Sequence, residues 1–219
     1  MCFGPVPSFA ASAVLGAIGV ATLSKVRGKR EILLATFPLL FAIQQFNEGL
    51  LWLTIGKGDS VALQQGLTFI FLLFALVLWP IFSPLSFYLL EPDAQRRKVM
   101  GAFLTIGAII GTYFLYYLLF DTYSATVIGY CITYDTAAPG SVTVLNLAYV
   151  LAVLATSLFS SYRPIVLLGL INIALCAITA IAFVNAHTSV WCFFAALWSS
   201  LLYLFFRRQR VDGGSLPKN

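Results

Sequence analysis

Charged side chains are the scarcest feature of this chain: they make up 10% of its 219 residues, against 60% hydrophobic, and the mean hydropathy is +0.93. A soluble domain carries about 25% charged residues. A chain with so few cannot cover a water-facing surface, so the composition excludes a soluble globular protein and predicts an integral membrane protein. Other absences narrow the function. The four cysteines, Cys2, Cys131, Cys176 and Cys192, form no CxxC pair, which excludes a zinc ribbon or a disulfide scaffold. No Lys or Arg precedes the apolar opening MCFGPVPSF, so no secretory signal is expected. No internal repeat divides the chain, which argues against an inverted-repeat transporter.

What is present is a series of apolar runs. About 20 apolar residues cross the hydrocarbon core as a helix. Seven runs qualify, near Ser8–Ser24, Glu31–Ile55, Val61–Leu90, Val99–Phe120, Val142–Ser160, Pro164–Val184 and Ser189–Phe206. The expected fold is all-α: a polytopic membrane bundle of about seven transmembrane helices over residues 1–210, with a flexible cytoplasmic tail over 211–219. The third run contains Trp79-Pro80 and Pro84, so a kink or break is expected there. Gly107 and Gly111 form a GxxxG in the fourth, which reads as close helix contact. An outer loop over 121–141 alternates through Ala125–Tyr134 with Gly129 at its centre, the pattern of a short β-hairpin.

The net charge of +5 gains meaning from its placement. Lys25, Arg27, Lys29 and Arg30 follow run one; Arg96, Arg97 and Lys98 follow run three; Arg163 follows run five; Arg207, Arg208, Arg210 and Lys218 follow run seven. These are alternate loops. The positive-inside rule puts them in the cytoplasm, with the N-terminus outside and the C-terminus inside a cytoplasmic (inner) membrane. The cations therefore flank spans. The bilayer is the expected partner, nucleic acid is not, and a second copy of the chain remains a candidate.

Of eight acidic residues, seven sit in loops, at span ends or in the tail. Glu48 lies within the second run, in AIQQFNEGLLW. A carboxyl there costs a few kcal/mol by insertion scales and marks a functional site by default. Gln44 is four residues earlier, on the same helical face, and Gln45 flanks it; Asn47 points elsewhere. Trp52 lies one turn outward. The bland alternative is a neutral glutamic acid that joins helices through hydrogen bonds.

The topology brings further groups to the same leaflet: Cys2 near the N-terminus, His187 before the last run, Cys192 just inside it, and Cys131 in the outer loop. Two thiols, one imidazole and one carboxylate suit Cu or Zn. The candidate metal ligands are therefore Cys2, Glu48, His187, Cys192 and the terminal amine of Met1. Gln44, Gln45, Trp52, Cys131 and Trp191 form the surrounding set. His187 and Cys192 lie about 140° apart on an ideal helix, so they converge only if the helix starts after His187, with Thr188 or Ser189 as its cap. Competing classes are a membrane-embedded metal-dependent hydrolase, a thiol–disulfide enzyme using Cys2, Cys131 and Cys192, and a small transporter or sensor. The first wants several histidines and the second a CxxC pair. Run seven has no lysine for a Schiff base, so no retinal is expected, and no nucleotide. A small-molecule or metal donor is a candidate partner.

Four segments together resemble a known family: MCF with Ser8-Phe9, QQFNEGLLW (44–52), WPIFSPLSFYLLEPDAQRRK (79–98) and HTSVWCFFAA (187–196). The chain is similar to an uncharacterised family of bacterial multispanning membrane proteins (DUF6629-like) whose members open Met-Cys-Phe-Ser-Ala. The likeness implies that Cys2, Glu48, Trp52, Trp191 and Cys192 belong to a pattern. It implies no activity. Gly4-Pro5-Val6-Pro7 replaces the family's small polar run after Phe3.

Overall fold

Apolar runs in a low-dielectric surrounding must satisfy their own backbone groups, and the helix does so within one segment. The computed structural model of the protein describes residues 4–56, 61–136, 143–183 and 186–211 and is a helical bundle with one β-hairpin. In chain order, α1 is Pro5–Leu23, and a short 3-10 turn (Lys29–Glu31) and Ile32–Ala35 lead into α2, Phe37–Thr54. Next come α3, Val61–Leu90, and α4, Ala94–Phe120. The hairpin strands are β1, Tyr123–Ile128, and β2, Cys131–Thr136. Then come α5 over 143–158, α6, Arg163–Ala182, α7, His187–Ser199, and α8, Leu201–Val211, which continues α7 after a turn at Ser200. Of the expected tail over 211–219, Val211 still belongs to α8, and residues 212–219 lie outside the described residues.

Among the described residues, five helices are long and apolar enough to cross a membrane: α1, α3, α4, α6 and the combined α7–α8 over His187–Arg208. The other two expected spans are α2 and α5. α5 is too short, and α2 carries Gln44, Gln45, Asn47 and Glu48 among its 18 residues. Nine of those 18 are buried, because α2 packs on α1, α3 and α7 at once. This polar helix is therefore shielded by neighbouring helices.

The expected kink in the third run takes a specific form. Leu73–Leu78 is π-helical, directly ahead of Trp79-Pro80. A wider turn absorbs the donor that proline lacks, and α3 continues to Leu90. The adjacent carbonyls meet the GxxxG of α4. A Cβ on Gly107 would stand 1.8 Å from the Pro80 oxygen, and one on Gly111 would stand 3.1 Å from the Val77 oxygen. These glycines let α4 approach α3 at its irregular stretch.

The hairpin forms as the alternation indicates. It is antiparallel, with Ile128 opposite Cys131 and Ala125 opposite Tyr134. Gly129-Tyr130 makes the turn, and Gly129 takes φ +63°, which glycine adopts without a Cβ clash. Ala125 and Ile132 pack with Leu51 of α2 and Leu67 of α3. Cys131 packs with Val190 of α7, and Gln64 Nε2 donates to the Ala125 carbonyl at 3.1 Å. The hairpin thus caps the end of the bundle where α2, α3 and α7 meet.

At the opposite end, Glu91 follows α3 and is 1% exposed. It accepts from the Ser161 amide at 2.8 Å, from the Asp93 amide at 3.1 Å and from the Ser161 hydroxyl. The Arg96 guanidinium donates to the Ser160 carbonyl at 3.0 Å. These bonds hold the turns after α3 and α5 together. Burial, then the neighbouring Glu91 and Glu31, push the Tyr162 phenol above its ordinary value.

Candidate functional site

The polar stripe of α2 survives intact in the fold. Gln44, Gln45 and Glu48 are each 0% exposed. Asn47 diverges, as its position on the helix requires, and its Nδ2 donates to the Leu67 carbonyl at 2.9 Å.

Glu48 receives hydroxyl groups from two distant elements. Ser189 of α7 donates to Oε1 at 2.7 Å and Tyr134 of β2 at 3.2 Å. The Tyr134 ring stacks on Phe71 of α3, with centroids 4.0 Å apart and planes 4° apart. Burial, then the nearby Cys192, push its phenol well above the ordinary value, so the hydroxyl stays protonated as a donor. The Gln44 oxygen accepts from the Trp79 indole at 2.9 Å, and Trp79 stacks on Phe41 at 4.1 Å. The Gln44 nitrogen has no hydrogen-bond partner among the described residues, nor has either polar atom of the Gln45 amide. Cys192 lies beside the Gln44 side chain without hydrogen-bond geometry at that nitrogen. It packs with Phe71 and Ala75. The site is thus a buried carboxyl and two amides walled by aromatic rings and a thiol.

His187 is not part of it. Helix α7 begins at His187 with no side-chain cap, so the imidazole already follows helical geometry. Its Nδ1 is 3.1 Å from the Thr179 hydroxyl of α6, and the ring stacks on Trp191, 5.6 Å between centroids. The Trp191 indole donates to Asn172 Oδ1 at 3.1 Å. The condition for His187 and Cys192 to converge is unmet, and the cause is where the helix starts. Ser189, one of the two caps such convergence would need, instead donates to Glu48.

The remaining expected residues divide as follows. Met1 and Cys2 lie outside the described residues. Cys131 is disulfide-bonded, while Cys176 and Cys192 are free thiols. Trp52 is half-buried against the hairpin cluster. Among the described residues, no three of His, Cys, Asp and Glu come together as a metal-ligand group.

Sequence reasoning missed Tyr134, Ser189 and Trp79 as partners of the stripe. For Ser189 a signal existed, since it precedes Cys192 by three residues and shares its helical face. For Tyr134 and Trp79 the partnership depends on packing between distant elements.

The model of a family of unknown function, DUF6629, matches residues 1–215. No curated protein and no solved structure matches the chain.

Proposed function

The chain belongs to DUF6629, a family of unknown function, and from its buried site we propose that it is a multi-pass membrane binding protein, a carrier or receptor. Its ligand is a small polar organic molecule held by Glu48, Gln44 and Gln45. The observation that carries this reading is Gln45, fully buried, with neither amide atom bonded among the described residues. An unsatisfied buried polar group costs about 1–3 kcal/mol. Gln44 adds a third such atom on the same stripe. Two amides and a carboxyl offer both donors and acceptors, which suits a neutral hydrogen-bonding molecule better than a bare ion.

The hairpin side of the site faces outward in this reading. The cationic loops cluster at the other end, as the positive-inside rule requires of a cytoplasmic face. A disulfide at Cys131 suits an oxidising outer compartment. The competing reading is a Cu or Zn ion shared by Cys2, Glu48, His187 and Cys192. The contact of His187 with Thr179 and its stack on Trp191 weigh against it.

The test is chemical analysis of the full-length protein purified in mild detergent. Mass spectrometry of the denatured sample should release a near-stoichiometric small polar compound, lost in Gln45→Leu. Absence of any compound, or its persistence in Gln45→Leu, overturns the reading. Near-stoichiometric Cu or Zn that disappears in Cys2→Ser and Glu48→Gln would establish the metal site in its place.

A further inference from the structure

Below the polar stripe lies a partly open apolar space between α2, α3, α5, α6 and α7. Along α7 and the start of α8 it runs from Trp191 to Leu202, about 16 Å at 1.5 Å per residue. α3 faces it with Trp79, Ser83 and Phe87, and α5 with Tyr149, Val153 and Ser157. Both sets repeat every four residues, so each forms one stripe along its helix.

Most polar groups on these walls are bonded within the protein. The Ser83 hydroxyl donates to the Val153 carbonyl at 3.0 Å, and Ser157 donates to the Leu154 carbonyl at 2.7 Å. Ser199 donates to the Ala196 carbonyl at 2.7 Å, and Tyr149 to the Ala75 carbonyl. The Trp191 indole is held by Asn172. What the walls present to the space is therefore mainly hydrocarbon and aromatic faces. Apolar walls of that kind favour apolar guests over water.

We infer that this space is a binding site for one hydrocarbon chain of a membrane lipid, acyl or prenyl. Its length along α7 and α8 and its parallel stripes fit an extended chain better than a compact guest. A bundle of this composition is surrounded by such chains. Trp79 and Cys192 line the end of the space next to Gln44, so the site is adjacent to the polar stripe without including it. The inference does not rest on the Glu48 reading.

Native mass spectrometry of the full chain, released from mild detergent, tests it. The wild type should retain one chain-bearing lipid. Ala195→Phe on α7 and Val153→Phe on α5 fill the space from two walls. Each should lower the retained fraction about tenfold, the effect of 1.4 kcal/mol, with circular dichroism unchanged. The mass of the retained species distinguishes a glycerophospholipid from a prenyl lipid. Fluorescence gives a measurement that needs no variant, because Trp79, Trp191 and Trp198 all line the space. A chain-brominated phospholipid added to delipidated wild type should quench them saturably at equimolar ratio. No retained lipid together with no saturable quenching overturns the inference, as does equal retention in folded forms of both filled variants.

Discussion

Tyr134 and Glu48 are 86 residues apart in sequence, and the phenol hydroxyl lies 3.2 Å from the carboxyl oxygen. This contact ties the hairpin to the most buried acid of the bundle. Tyr134→Phe keeps the stack on Phe71 and removes only the hydroxyl. The expected loss is about 1 kcal/mol, the net worth of one hydrogen bond. Hydrogen exchange over 131–136 should accelerate while exchange in α6 stays unchanged.

The same phenol sets a pH dependence. Burial, then Cys192, raise its value well above 10.0 in the fold, so the folded state keeps a proton that the unfolded state releases. Its contribution to stability is fully present below pH 10 and declines as pH rises through the folded value. Thermal melts in detergent should show a decline above pH 10 that is shallower in Tyr134→Phe.

Gly107 and Gly111 should differ sharply although they share one motif. A Cβ at Gly107 meets the Pro80 carbonyl at 1.8 Å, whereas at Gly111 the nearest atom is the flexible end of Ile81 at 2.9 Å. Gly107→Ala must displace backbone and is expected to cost about 1–3 kcal/mol. Gly111→Ala should cost clearly less. Melting temperatures of the two variants, measured side by side, check the ranking.

The thiol chemistry is equally direct. Alkylation of the denatured, unreduced protein should modify Cys176 and Cys192, which are free, and leave Cys131, which is disulfide-bonded, unmodified until reductant is added. Peptide mapping reads the outcome. Alkylation of Cys131 before reduction would remove the disulfide as support for an outward-facing hairpin.

Much of this arrangement is local and was therefore legible. The apolar runs, the hairpin around Gly129, the close contact at Gly107 and Gly111 and the stripe Gln44–Gln45–Glu48 all follow from periodicity along one element. The partners of that stripe are not local. Tyr134 reaches Glu48 only because the hairpin folds back over α2, and Trp79 meets Gln44 only because α3 crosses α2. His187 misled for a subtler reason: one residue in the start of α7 decides whether an imidazole leaves the helix or joins it. Glu91 shows a further limit, since a position between helices says nothing of burial, and this acid is as enclosed as a core leucine.

The central claim is that Gln45 and Glu48 receive a small molecule, and an experimental density map that resolves ordered water tests it most directly. The expected result is continuous non-protein density within hydrogen-bond distance of the Gln45 amide and adjoining Glu48, absent from Gln45→Leu. Discrete waters alone, or a Gln45 amide bonded fully to protein groups, would contradict it.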